Sequence, residues 1–107
     1  MVITTLEAEV SPMKWNDLKK AFENMLKNAH TGMITPTQAW LLQSNEDVNV
    51  WRLMGLWTSM EEFNRMREKG TPRGIQIFRD LGAEPSLSIY EVVATMAIGE
   101  AMPMSQH

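Results

Sequence analysis

The strand-forming segments of this chain are apolar on both of their faces, and that restricts what they can build. Residues 2–10, 35–43, 48–57 and 86–94 each alternate with a period of two. The first places Val2, Thr4, Leu6, Ala8 and Val10 on one side, and Ile3, Thr5, Glu7 and Glu9 on the other. The third sets Trp51, Leu53 and Trp57 against Met54 and Leu56. The fourth sets Ile89 and Val93 against Tyr90 and Val92, and the second Trp40 and Leu42 against Ala39 and Leu41. An antiparallel sheet with helices on one face normally turns a polar face to water. Neither face here is polar, so the sheet needs a second cover.

Between the strands the spacing becomes helical. Ser11 followed by Pro12 reads as a cap with proline at the first helical position. Trp15, Leu18, Phe22, Met25, Leu26 and Ala29 then recur on one side, with Lys19, Lys20, Glu23 and Lys27 opposite and Gly32 as the end. Ser44, Asn45, Glu46 and Asp47 form a polar turn, so the second and third strands read as a hairpin. Ser59 with Glu62 is a capping box for a helix carrying Phe63 and Met66 and closed by Gly70. Thr71 and Pro72 start a further helical turn with Ile75, Phe78 and Leu81, ended by Gly82. Residues 95–107 hold Met96, Gly99, Met102, Pro103 and Met104 without periodicity and read as a loose tail. The order strand, helix, strand, strand, helix, strand is the α+β, ferredoxin-like βαββαβ plan, a single domain over residues 1–94. Right-handed crossovers put the first and third strands in the centre of a four-stranded antiparallel sheet.

The 107 residues contain no cysteine, which excludes disulfides, thiolate metal sites and cysteine nucleophiles. The net charge is -3 with no basic block, so neither nucleic acid nor an anionic membrane is the expected partner. No apolar run is long enough to cross a membrane, and Met1 leads into strand pattern rather than a secretion signal. The expected location is cytoplasmic. No Ser-His-Asp set, phosphate loop or metal-ligand spacing occurs. His30, near the end of the first helix, is accounted for by the helix dipole.

The hairpin register decides what the second cover meets. An even loop places Trp40 opposite Trp51, so that both tryptophans, Leu42, Leu53 and Trp57 share one face. An odd loop moves Trp40 to the other. Each large aromatic buries roughly 150–250 Å². Trp40, Trp51 and Trp57 from two chains therefore approach about 1,200 Å², the lower edge of a specific interface. The expectation is a homodimer, a ligand pocket, or both. Trp57, Trp51 and Trp40 are candidates for the wall of a site for a flat molecule, or for packing. Arg52, the one basic residue inside a strand, is a candidate to bind a phenolate or carboxylate, or to pair with an acid. Glu7 and Glu91, on strands expected to be neighbours, are candidate bases or exposed edge residues.

Leu56, Trp57, Thr58, Ser59, Met60, Glu61, Glu62 and Phe63 together resemble the strand-end aromatic, cap and acidic helix start of the antibiotic biosynthesis monooxygenase superfamily. The helical piece over residues 72–82 and the closing Ile89, Tyr90, Glu91, Val92 and Val93 sit where that superfamily has theirs, and the resemblance spans residues 2–94. It implies a dimeric α/β barrel with a pocket in each half. Such barrels include cofactor-free oxygenases, haem-degrading enzymes and proteins with no known catalysis. Trp57 matches the pocket tryptophan of the haem-degrading members. Their first-strand asparagine has no counterpart in residues 2–10, and their second-helix histidine none in residues 60–69, so no haem or other cofactor is expected. What the resemblance implies is a cofactor-independent monooxygenase acting on a small hydrophobic or aromatic molecule. The alternative is a non-catalytic dimeric barrel, ligand-binding or stress-associated, and the sequence leaves both open.

Overall fold

The computed structural model describes residues 1–27 and 35–97. Along the chain run β1 (Val2–Glu9), a 3-10 turn (Pro12–Lys14), α1 (Trp15–Lys27), β2 (Gln38–Gln43), β3 (Val50–Trp57), α2 (Met60–Glu68), α3 (Arg73–Asp80) and β4 (Ser86–Glu91). The four strands pair antiparallel in the order β2-β3-β1-β4. This is the ferredoxin-like arrangement, with β1 and β3 central as the handedness rule requires. The expected Ala29, His30, Gly32, Gly99, Met102, Pro103 and Met104 features lie outside the described residues, as does the side chain of Leu26.

The local signals act through identifiable bonds. Ser59 Oγ accepts from the Glu62 N–H at 3.2 Å, so the cap forms, while the Glu62 carboxylate pairs with Arg65 at 3.1 Å instead of closing the box. Gly82 adopts φ +82°, which lets the Ala83 N–H reach back to the Phe78 carbonyl at 3.0 Å and end α3. Ser11 does not cap with its side chain. Its carbonyl takes the Lys14 N–H at 2.8 Å, giving a tight turn, and the α-helix starts only at Trp15. There the indole N–H donates to the Val10 carbonyl at 2.9 Å. The strands are shorter than their patterns. β2 begins at Gln38, beyond Pro36, which has no N–H to give a ladder. β4 stops at Glu91, with one further bond from the Val92 N–H to the Met1 carbonyl.

Helices cover one face of the sheet. Leu6, Ala8, Val10, Trp51 and Leu53 are buried there against Leu18 of α1 and Ile77 and Phe78 of α3. Leu41, Leu53, Leu6 and Leu87 stand side by side across all four strands. Trp51 packs edge-on to Trp15, ring centroids 5.8 Å apart. Burying one such large side chain stabilises by roughly 1.5–3 kcal/mol, so this row and its helices anchor the fold.

The hairpin closes with the odd loop. Gln43 lies opposite Trp51 and Trp40 opposite Met54, and the Ser44 N–H donates to the Val50 carbonyl at 2.9 Å. The turn's side chains fix this choice. Ser44 Oγ accepts from the Glu46 and Asp47 N–H groups, Asp47 Oδ1 from the Asn49 N–H, and Gln43 Nε2 donates to the Val48 carbonyl. The pairing of Trp40 with Trp51 expected from an even loop is therefore corrected. It is Trp51, Leu53 and Trp57 that lie beneath the helices, and Trp40 that lies on the other face.

Candidate functional site

Next to the row of leucines the sheet is hollow. Ala39, Gly55 and Thr4 are register partners across β2, β3 and β1 on the helix-covered face, and none has a large side chain. A Cβ on Gly55 would meet Trp57 Nε1 at 3.2 Å, Thr4 Oγ1 at 3.3 Å and Pro36 Cβ at 3.4 Å. Gly55 thus lets the neighbouring groups close over the central strand. Above this floor lies a cavity of about 520 Å³, walled by Leu53, Trp57, Phe63 and Met66 and bordered by the α2–α3 connection. That volume falls within the range of small-molecule sites, roughly 300–1,000 Å³.

Trp57 is buried and held by two partners. It is 5% exposed, its indole N–H donates to Thr4 Oγ1 at 3.0 Å, and its ring meets Phe63 edge-on with centroids 5.2 Å apart. Phe63 is itself placed by the Ser59 cap one turn earlier, and Arg67 lies over its ring at 5.3 Å. The cap at the end of β3 therefore converts strand geometry into a fixed aromatic wall.

The polar lining consists of Thr4, Thr35, Thr37, Gln38, Thr71, Lys69 and Arg73. Among the described residues no Asp or Glu lines the cavity, and no histidine, cysteine or tyrosine is there to ligate a haem iron. At the cavity's border α3 starts after Pro72 with no side-chain cap and no acid in its first turn.

The six residues singled out from the sequence do not converge. Trp57 lines the cavity. Trp51, 4% exposed, lies in the core beside Trp15. Trp40 is half-buried on the open face. Arg52, on that same face, donates from Nε to Glu7 at 2.6 Å, so both belong to an exposed cross-strand ion pair. Glu91, at the sheet edge, pairs with the N-terminal ammonium at 3.4 Å. Lys69, Arg73 and Gly55 escaped the sequence reading. A glycine inside the central strand was the available sign, since such a residue marks a bulge or a close approach.

The chain has an antibiotic biosynthesis monooxygenase-like fold, and 31 solved chains are similar to it in structure. A candidate antibiotic biosynthesis monooxygenase from Deinococcus radiodurans superposes with a TM-score of 0.67 at 12% identity, covering 91% of this chain and 97% of the other. SnoaB, a cofactor-independent oxygenase from Streptomyces nogalater, gives 0.66 at 13% identity, over 89% and 95%. MhuD, whose structure holds two manganese protoporphyrin IX molecules per active site, gives 0.66 at 18% identity, over 91% and 99%. No family model matches the chain, and no curated protein matches its sequence.

Proposed function

We propose that this protein is a cofactor-independent, monooxygenase-like barrel that takes a small hydrophobic or aromatic molecule into the cavity beside Trp57 and works as a homodimer. The observation that carries the reading is the hollow itself, an apolar cavity of about 520 Å³ with an immobilised indole in its wall. Such a site orients a flat substrate against a rigid ring, which is most of what this chemistry asks of a protein. A phenol can supply the electrons itself: its ring carbon gains one atom of O₂, the second atom leaves as water, and a quinone results. The homodimer is supported by the open face, where Trp40, Leu42, Met54 and Tyr90 lie without a helix over them among the described residues.

The absence of a lining carboxylate or histidine among the described residues favours a second reading, a ligand-binding or stress-associated barrel without catalysis. One experiment separates the two and tests both. Wild type, Trp57→Phe and Trp57→Ala are screened by thermal shift against phenols and quinones, with oxygen uptake followed for every compound that binds. At least one compound should stabilise wild type, Trp57→Phe should retain it, and Trp57→Ala should weaken it roughly tenfold through lost stacking and contact area. Uptake of oxygen without added cofactor supports the oxygenase. Binding without uptake supports the second reading. If no compound stabilises the wild type, both fail.

A further inference from the structure

We infer that the cavity selects molecules whose apolar body ends in a carboxylate, which Lys69 and Arg73 receive at its mouth. The inference rests on the reading of the cavity as a ligand site and names the class of ligand. Its basis is an imbalance of charge. The chain carries 13 acidic and 10 basic side chains, yet the charged residues bordering the cavity among those described are both cations. They flank one short connection, Lys69 closing α2 and Arg73 opening α3, in a lining that also includes the apolar Leu53 and Trp57. Both are exposed, so they stand at the entrance rather than in the floor.

That placement suits an amphipathic ligand. A long aliphatic stem lets the Lys69 ammonium follow the end of a bound molecule while remaining in water. An anion at the edge of an apolar cavity feels a cation more strongly than it would in open solvent. The uncapped start of α3 adds partial positive charge at the same border. Arg73 has an interaction of its own, whereas Lys69 makes no ion pair among the described residues. Lys69 is therefore the residue to test. Arg52, the cation that the sequence pattern singles out, lies on the opposite face and is neutralised by Glu7, so it cannot serve this cavity.

The test is calorimetric titration with anthracene-2-carboxylate and its uncharged twin, anthracene-2-carboxamide. Wild type should bind the carboxylate about tenfold more tightly, and Lys69→Gln should reduce that preference roughly fivefold, the size expected of one partly exposed charge-assisted contact. Lys69→Arg should restore it, and added salt should shrink it. Trp57→Ala should weaken both probes alike, which locates them in this cavity. Equal wild-type affinity for the two probes overturns the inference and leaves the cavity reading intact. A preference that survives Lys69→Gln overturns the role of Lys69. Binding of neither probe at millimolar concentration overturns the cavity reading and the inference together.

Discussion

The face of the sheet beneath the helices and the face turned away from them hold similar residues in different circumstances. On the first, Trp51 and Trp57 are 4% and 5% exposed, and each meets a second aromatic ring edge-on. On the second, Trp40 is only half-buried, Leu42 is 39% exposed and Tyr90 57%. The ion pair between Arg52 and Glu7 also sits there, where water can reach it. Period-two alternation is the same in both cases. What differs is which face the crossover helices cover, and that is settled by α1 and α3 packing onto Leu6, Val10 and Leu53. An indole is therefore core, wall or surface according to the parity of its position and the cover above it, not according to its type.

The largest effect that could break this comparison is thermodynamic. Trp51→Ala should cost about 3–5 kcal/mol of unfolding free energy, the range for removing a buried large aromatic. Trp40→Ala in the monomer should cost less than about 1 kcal/mol, as for a residue whose packing is one-sided. Urea unfolding at a protein concentration low enough to separate subunits measures both, and equal losses would mean that the open face is covered as firmly as the other. The next effect is on assembly. Met54→Lys places a charge in the middle of the open face, opposite Trp40. If that face joins two copies, light scattering should show a fall from twice 12.2 kDa to 12.2 kDa with the circular dichroism spectrum unchanged. A wild type that already runs as a monomer would remove the dimer from the proposed function.

The smallest effect lies beside the covered face, just after α3. Glu84 accepts from Arg79 Nε at 3.2 Å and from Nη2 at 3.0 Å. This hydrogen bonding, aided by the arginine's charge and opposed by slight desolvation, holds the Glu84 carboxyl below its ordinary value. A carboxyl whose folded-state pKa is depressed stabilises above its unfolded pKa, and loses that contribution as pH falls through the folded value. Wild type should therefore melt slightly above Glu84→Gln at neutral pH. The gap should close as the solution is acidified through and below the usual glutamate range. Both groups are exposed, so salt should narrow the gap as well. A gap independent of pH would assign the effect to packing.

How much of this was legible in the sequence depends on the distance over which each signal acts. Ser59 works through a bond to a residue three positions away, and Gly82 by letting Ala83 bond back to Phe78, five positions from it, and their roles could be read directly. Strand order followed from chain reversal and handedness. The β2–β3 register was not legible from apolar spacing, because the polar atoms of Ser44, Asp47 and Gln43 select the odd loop. Ser11 misled because proline after a hydroxyl also suits a tight 3-10 turn. At the site, Trp57 was visible as a strand-end aromatic beside a helix cap. Lys69 and Arg73 were not, since a cation in a connection carries no periodicity and gains meaning only from the cavity that it borders.

The row of small residues over Ala39, Gly55 and Thr4 also bears on how the protein moves. Around Leu41, Leu53, Leu6 and Leu87, opening one backbone hydrogen bond means pulling apart interlocked side chains. Along the small-residue row fewer side chains interlock, and the atoms that face the cavity lack contacts on that side. Amide hydrogens of β2 near Ala39, on a strand at the sheet's edge, should therefore exchange faster than those at Leu53. Local opening draws on whatever packing a segment has. A molecule entering the hollow would supply the missing contacts and slow exchange there first, so occupancy of the cavity would register as stiffening at one end of the sheet while the leucine end stayed as it was.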